Sequence, residues 1–131
     1  MRRSTSRHIV FTANEGVSLL DLSGPLEAFR VAAAFARPQG RGGMYECTVV
    51  SARGGRVKTA DGVELNTKSV RSLARKAIDT LIVPGAFVVD DVTRDRALVQ
   101  WVKKNALAPD KPRPPRGLRW AGWCTRKSVI W

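Results

Sequence analysis

Apolar and polar positions along the chain fall into short blocks of two kinds. His8-Ile9-Val10-Phe11-Thr12-Ala13 is an almost uninterrupted run of apolar and β-branched side chains, the pattern of a buried strand. From about Leu22 to Ala36 the period lengthens, and Leu26, Phe29, Ala33 and Phe35 or Ala36 supply one apolar helical face. Asp21 and Ser23 are cap-type residues at its start, and Pro25 suits a first turn, where its missing N–H costs nothing. Arg37-Pro38-Gln39-Gly40 breaks the helix, and Gly40-Arg41-Gly42-Gly43 reads as a flexible loop. Tyr45 to Ser51, with three β-branched residues, fits a parallel strand. Asp61-Gly62 between alternating residues signals a hairpin, and Ser69 to Lys76 reads as a short helix capped by Ser69. Thr80-Leu81-Ile82-Val83 suits a strand covered on both faces. A last helix is expected from Asp91-Val92-Thr93 to about Asn105, with Ala97, Leu98, Trp101 and Val102 inward and Arg94, Lys103 and Lys104 outward.

Strands alternating with helices at these lengths imply an α/β fold of βαβ units around a mainly parallel sheet. The pattern stops near Ala108. Pro109, Pro112, Pro114 and Pro115 crowd into seven residues, Trp120, Trp123 and Trp131 follow, and no apolar period is sustained. Such a segment is a poor source for the strand that should follow the last helix. The expectation is an aberrant, disordered tail over residues 108–131, of a composition that a GC-rich gene also gives when read out of frame. Without that strand the sheet is expected to keep an open apolar edge beside Leu81, Ile82 and Val83, and so to be weakly stable.

Composition narrows the function classes. The 131 residues are one domain's worth, 44% hydrophobic and 26% charged. No apolar run reaches the roughly 18 residues of a membrane span, and the N-terminus lacks the features of a signal peptide, so a cytoplasmic protein without membrane contact is expected. The net charge of +12 is concentrated at the ends: residues 1–7 carry +3, residues 8–108 +4 and residues 109–131 +5. No helix combines a basic stripe with interleaved aromatics, so direct nucleic-acid binding is not expected. Phosphate loops, dinucleotide fingerprints and metal motifs are absent, and neither a cofactor nor a metal is expected.

The nine residues Asp21-Leu22-Ser23-Gly24-Pro25-Leu26-Glu27-Ala28-Phe29, following the first strand, carry the chemistry. Two readings of Glu27 stand on the residues alone. It is a first-turn carboxylate favoured by the helix dipole, or a carboxylate delivered to the rim where open α/β sheets bind ligands. The pattern resembles the N-terminus of the ThiJ/PfpI-type domain of the class I glutamine-amidotransferase-like superfamily. It is most similar to the sensor half of AraC-family transcriptional regulators. Tyr45 to Ser51, Val57 to Leu65 and Asp79-Thr80-Leu81-Ile82-Val83-Pro84-Gly85 resemble the next segments in order.

The resemblance covers about residues 8–106 and implies a three-layer, flavodoxin-like α/β domain over residues 8–107, behind a basic tail of residues 1–7 and incomplete on its C-terminal side. It implies a site in which a first-helix glutamate, matched here by Glu27, meets a cysteine on a strained turn. Backbone N–H groups, matched by Gly85 and Ala86, then offer an oxyanion site. A plain strand-ending turn is the alternative for Pro84-Gly85. Cys124-Thr125 is the candidate for the cysteine turn, although Arg126 stands where a small residue belongs. Cys47, inside a strand, reads as a core thiol, and His8, the only histidine, as a surface residue at the far end of its strand. Asp90-Asp91 reads as helix caps. The resemblance therefore implies a ligand-sensing or dimerisation domain of a regulator, with a small-molecule ligand and a homodimer in the full-length relative. A cysteine-dependent amidase or protease, or a remnant without function, is the alternative.

Overall fold

The structure, a computed structural model, describes residues 6–36, 45–86, 94–106 and 128–130. The elements are β1 (Arg7–Thr12), α1 (Leu19–Ala36), β2 (Tyr45–Ser51), β3 (Gly55–Lys58), β4 (Glu64–Ser69), a 3-10 turn (Val70–Leu73), β5 (Thr80–Ile82), α2 (Arg96–Ala106) and β6 (Ser128–Ile130). They form one six-stranded sheet in the order β3-β4-β2-β1-β5-β6. Every pairing is parallel except the β3–β4 hairpin. The fold is α/β and flavodoxin-like, and the strand order reverses at β1, which lies between β2 and β5.

Alternation along the strands builds a layer on each face of the sheet. Ile9, Phe11 and Ile82 point to the α1 side, where Leu22, Leu26, Phe29 and Tyr45 complete the packing. Phe29 bridges Phe11 and Tyr45 through edge-to-face contacts, with ring centroids 6.4 and 5.1 Å apart. Val10, Val50 and Leu81 point the other way, toward Leu73 of the 3-10 turn and Leu98 and Trp101 of α2. The hairpin turns at Gly62, whose φ of 84° suits glycine, and Thr59 Oγ1 accepts from Val63 N at 3.0 Å.

Four expectations change. Helix α1 begins at Leu19, one turn before Leu22, because Ser18 caps it: Ser18 Oγ accepts from Asp21 N at 3.4 Å. Pro25 therefore lies inside the helix, and Glu27 is beyond its first turn. The segment after Ser69 makes one 3-10 turn, with the Ser69 cap as expected. His8 is buried, since Nε2 lies 3.0 Å from Thr48 Oγ1 and Nδ1 3.1 Å from the Ala77 carbonyl, which satisfies both ring nitrogens. The edge beside β5 is occupied: Thr80, Leu81 and Ile82 pair with Ser128, Val129 and Ile130 of β6. The expected tail over residues 108–127, the Asp90-Asp91 caps and the loop at Gly40-Gly43 lie outside the described residues. Within them, Asp95 caps α2, its Oδ1 accepting from Leu98 N at 3.1 Å.

Candidate functional site

The reversal of strand order at β1 opens a crevice at the carboxyl ends of β1 and β5, where ligands bind in open α/β sheets. Two loops meet there. Residues 13–18 leave β1, and residues 83–86 leave β5. They are tied by Ser18 N donating to Gly85 O at 2.9 Å and by an antiparallel bridge between Val17 and Ala86. The hairpin holds the first loop from the other side, with Gly16 N donating to Lys58 O at 2.9 Å and Ala60 N to Val17 O at 3.1 Å. Val17 and Ala13 are fully buried, so the rim is a packed platform.

The carboxylate on that platform is Asp21. Ser18-Leu19-Leu20-Asp21 has the spacing of a capping box, in which the fourth residue's side chain reaches back to the first residue's N–H. Here Ser18 N is already bonded to Gly85 O. The Asp21 carboxylate instead lies over the Gly85 backbone, so close that a methyl added at Gly85 would sit 2.7 Å from Asp21 Oδ2. Among the described residues the N–H groups of Gly85 and Ala86 find no acceptor. The Asp21 carboxylate and the Gly85 backbone are therefore neighbours at the rim, an acceptor side chain beside a stretch of backbone that carries donors.

Glu27 is elsewhere. It follows Asp21 by six residues, about 9 Å further along the helix and on a different face. Its carboxylate is exposed and takes two hydrogen bonds from Arg30, at 2.9 and 3.0 Å. Those bonds hold the Glu27 carboxyl below its usual range and raise the Arg30 guanidinium. The structure thus joins Gly85 and Ala86 to Asp21 and not to Glu27. The capping-box spacing was the signal for it, and Pro25 read as a first-turn residue concealed it.

Cys124 lies outside the described residues. Cys47, opposite Ile9 in the sheet, is partly buried, and desolvation raises its thiol pKa. Neither it nor His8 is at the rim. A cleft of about 370 Å³ beside the first loop is lined by Asn14, Glu15, Gly16, Arg94 and Asp95. Its polar groups are largely committed: Glu15 Oε2 accepts from Lys58 N, Asn14 Nδ2 donates to Glu15 O, and Asp95 caps α2. Among the described residues no cluster of His, Cys, Asp or Glu could hold a metal. No described helix is long and apolar enough to cross a membrane.

Comparison with known proteins gives a family and a fold. The model of the DJ-1/PfpI family matches residues 7–112. No curated protein sequence matches this one. Among solved structures, the chain is similar to oxidized DJ-1 of Toxoplasma gondii, with a TM-score of 0.58 and 14% identity over 77% of this chain and 50% of that one. It is similar to an AraC family transcriptional regulator from Pseudomonas putida, with a TM-score of 0.54 and 23% identity over 74% and 59%. A protein described as a transcriptional regulator from Vibrio parahaemolyticus gives a TM-score of 0.59 and 20% identity over 79% and 52%. The matched parts span between 50% and 59% of those chains.

Proposed function

The chain belongs to the DJ-1/PfpI family, and on that premise we propose that it is the ligand-sensing domain of an AraC-type transcriptional regulator. Reading DNA is the work of a separate domain in such regulators. The observation that carries this reading is the Asp21–Gly85 apposition at the strand-order reversal. It offers recognition chemistry, while neither the one histidine nor Cys47 is near enough to supply nucleophile or base. The ligand group that fits is a carboxamide. Its N–H donates to Asp21, and its carbonyl accepts from the Gly85 and Ala86 amides. The likeness to the Pseudomonas putida regulator supports the regulator class through the shared fold.

The rival is a cysteine-dependent hydrolase of the same family, which needs Cys124 to reach Asp21 and the Gly85 backbone. A nucleophile of that kind is a thiolate at neutral pH and alkylates faster than an ordinary thiol. Iodoacetamide labelling at neutral pH, followed by peptide mapping, separates the two. The sensing role predicts that Cys124 reacts at the rate of a free thiol, unchanged by Asp21→Asn. Accelerated labelling of Cys124 that Asp21→Asn slows would replace this reading with the hydrolase.

A further inference from the structure

The body of the chain keeps its positive charge in one place. Residues 53–76 hold seven basic and two acidic side chains, a net of +5, against +4 for the whole of residues 8–108, so the rest of that body carries −1. No helix gathers this charge; strand register does. Val57 and Leu65 pack with Val17 and Val49 on one side of the β3–β4 hairpin. Alternation sends Arg56, Lys58, Glu64, Asn66 and Lys68 to the other side, and all five are exposed. Arg56 lies opposite Asn66 and Lys58 opposite Glu64, which makes Lys68 the diagonal neighbour of Arg56, roughly 7–8 Å away. Two further cations join at the end of β4. A Cβ on Gly54 would sit 2.7 Å from Ser69 N, which brings the loop carrying exposed Arg53 against that end. Exposed Arg71 is held there as well, its N–H donating to Ser69 Oγ at 3.2 Å. Glu64, 3.4 Å from Arg56, is the one carboxylate on the face. Among the described residues Arg53, Lys58, Lys68 and Arg71 have no ion-pair partner. Like charges set side by side on a sheet repel, and the described residues leave that repulsion standing.

We propose that this β3–β4 face binds the phosphate backbone of double-stranded DNA. Charge complementarity selects the occupant. A duplex presents one negative charge per about 1.7 Å of its axis, and clustered cations that displace its counterions bind it. Arg56 and Lys58, about 6.8 Å apart along β3, form such a cluster with Lys68, Arg53 and Arg71. Asn66, between them, adds an amide donor of the kind that contacts phosphate oxygens. The face carries no aromatic side chain on which single-stranded bases would stack. It also lacks the buried apolar or aromatic anchor that dominates protein interfaces. Contacts of this sort position a duplex without reading its sequence. The face lies at the β3 edge of the sheet, whereas Asp21 and Gly85 sit where β1 and β5 end, so this inference stands apart from the ligand reading.

Fluorescence anisotropy of a labelled duplex with the full chain at low salt tests it. Lys58→Gln/Lys68→Gln is compared with Lys103→Gln/Lys104→Gln, which removes the same two charges from exposed positions of α2. The basic ends of the chain contribute equally to both variants and cancel in the comparison. All four positions are exposed, so folding is expected to survive, as circular dichroism would show. The expected result is saturable binding with equal affinity for duplexes of two unrelated sequences. In the β3–β4 variant the dissociation constant is expected to rise at least about tenfold and the slope of log K against log salt to fall by about 2, while the α2 variant stays within about twofold of wild type. Absence of duplex binding by the wild type, or equal losses in the two variants, overturns the proposal. Poly-glutamate serves as competitor, and it is expected to leave the duplex bound at a charge concentration at which unlabelled duplex displaces it. Displacement as efficient as that by unlabelled duplex would assign the face to an acidic protein segment and overturn the proposal.

Discussion

Ser18 sets where the Asp21 side chain lies. Its N–H is held by the Gly85 carbonyl, so the Asp21 carboxylate cannot close the capping box and lies instead over the Gly85 backbone. Gly85→Ala is expected to cost little stability, because the colliding atom is the end of a side chain that can rotate away, while displacing the Asp21 carboxylate from beside Gly85. Thermal unfolding within a few degrees of wild type, with loss of ligand response, is the expected pair of results. Glu27→Gln is expected to leave that response intact. Arg30 lowers the folded pKa of Glu27, so its contribution is present above the ordinary carboxylate value of 4.5 and is lost as pH falls through the folded pKa. The exposed pair is screened, so acid unfolding curves of wild type and Glu27→Gln should nearly coincide. Burial raises the Cys47 thiol, and this predicts slower alkylation at neutral pH than a free cysteine shows.

At the scale of elements, burial explains what was legible in the chain. β1, β2 and β5 are parallel strands inside the sheet; β1 and β5 announce themselves as nearly continuous apolar runs, and β2 by its β-branched Thr48, Val49 and Val50. The hairpin was legible from Asp61-Gly62 for a different reason, the turn's need for a positive φ. The start of α1 was not. Pro25 favours a first turn statistically, but Ser18 caps a helix that begins at Leu19, and Leu22, buried against the sheet, anchors that added turn. That shift of one turn separates Glu27 from the site and delivers Asp21 to it. His8 was misread because a lone histidine at a strand start is usually exposed, and its partners Thr48 and Ala77 are distant in sequence. β6 was illegible because three residues make too short a signal, and its pairing is supplied by the apolar edge of β5. Deleting residues 128–131 is therefore expected to lower the unfolding temperature and increase aggregation, as light scattering during thermal denaturation would show. Leu98→Ala, in the layer between α2 and the sheet, should cost about 2–5 kcal/mol in urea unfolding.

For the whole molecule, topology does what no single motif can. Placing β1 between β2 and β5 brings residues 13–18 and 83–86 together across about seventy positions of sequence, and the crevice follows from that order. The family was legible because its segments recur in order along the chain, and the family model matches residues 7–112. Of the polar groups at the rim, the turn at Gly85 was legible from Pro84-Gly85 after an apolar run, while the nearness of Asp21 to it depends on where α1 begins and was not. Net charge shaped none of this, since most of the +12 lies toward the two ends. The proposed sensing role requires Asp21 and the Gly85–Ala86 amides to form a single recognition site for a carboxamide. A ¹⁵N–¹H correlation titration with isobutyramide, and with isobutyrate as its isosteric anion, tests it most directly. Saturable shifts centred on Ser18, Asp21, Gly85 and Ala86 are expected with the amide, none with the anion, and none with either in Gly85→Ala. Shifts of equal size from both compounds, or shifts that persist in Gly85→Ala, would contradict it.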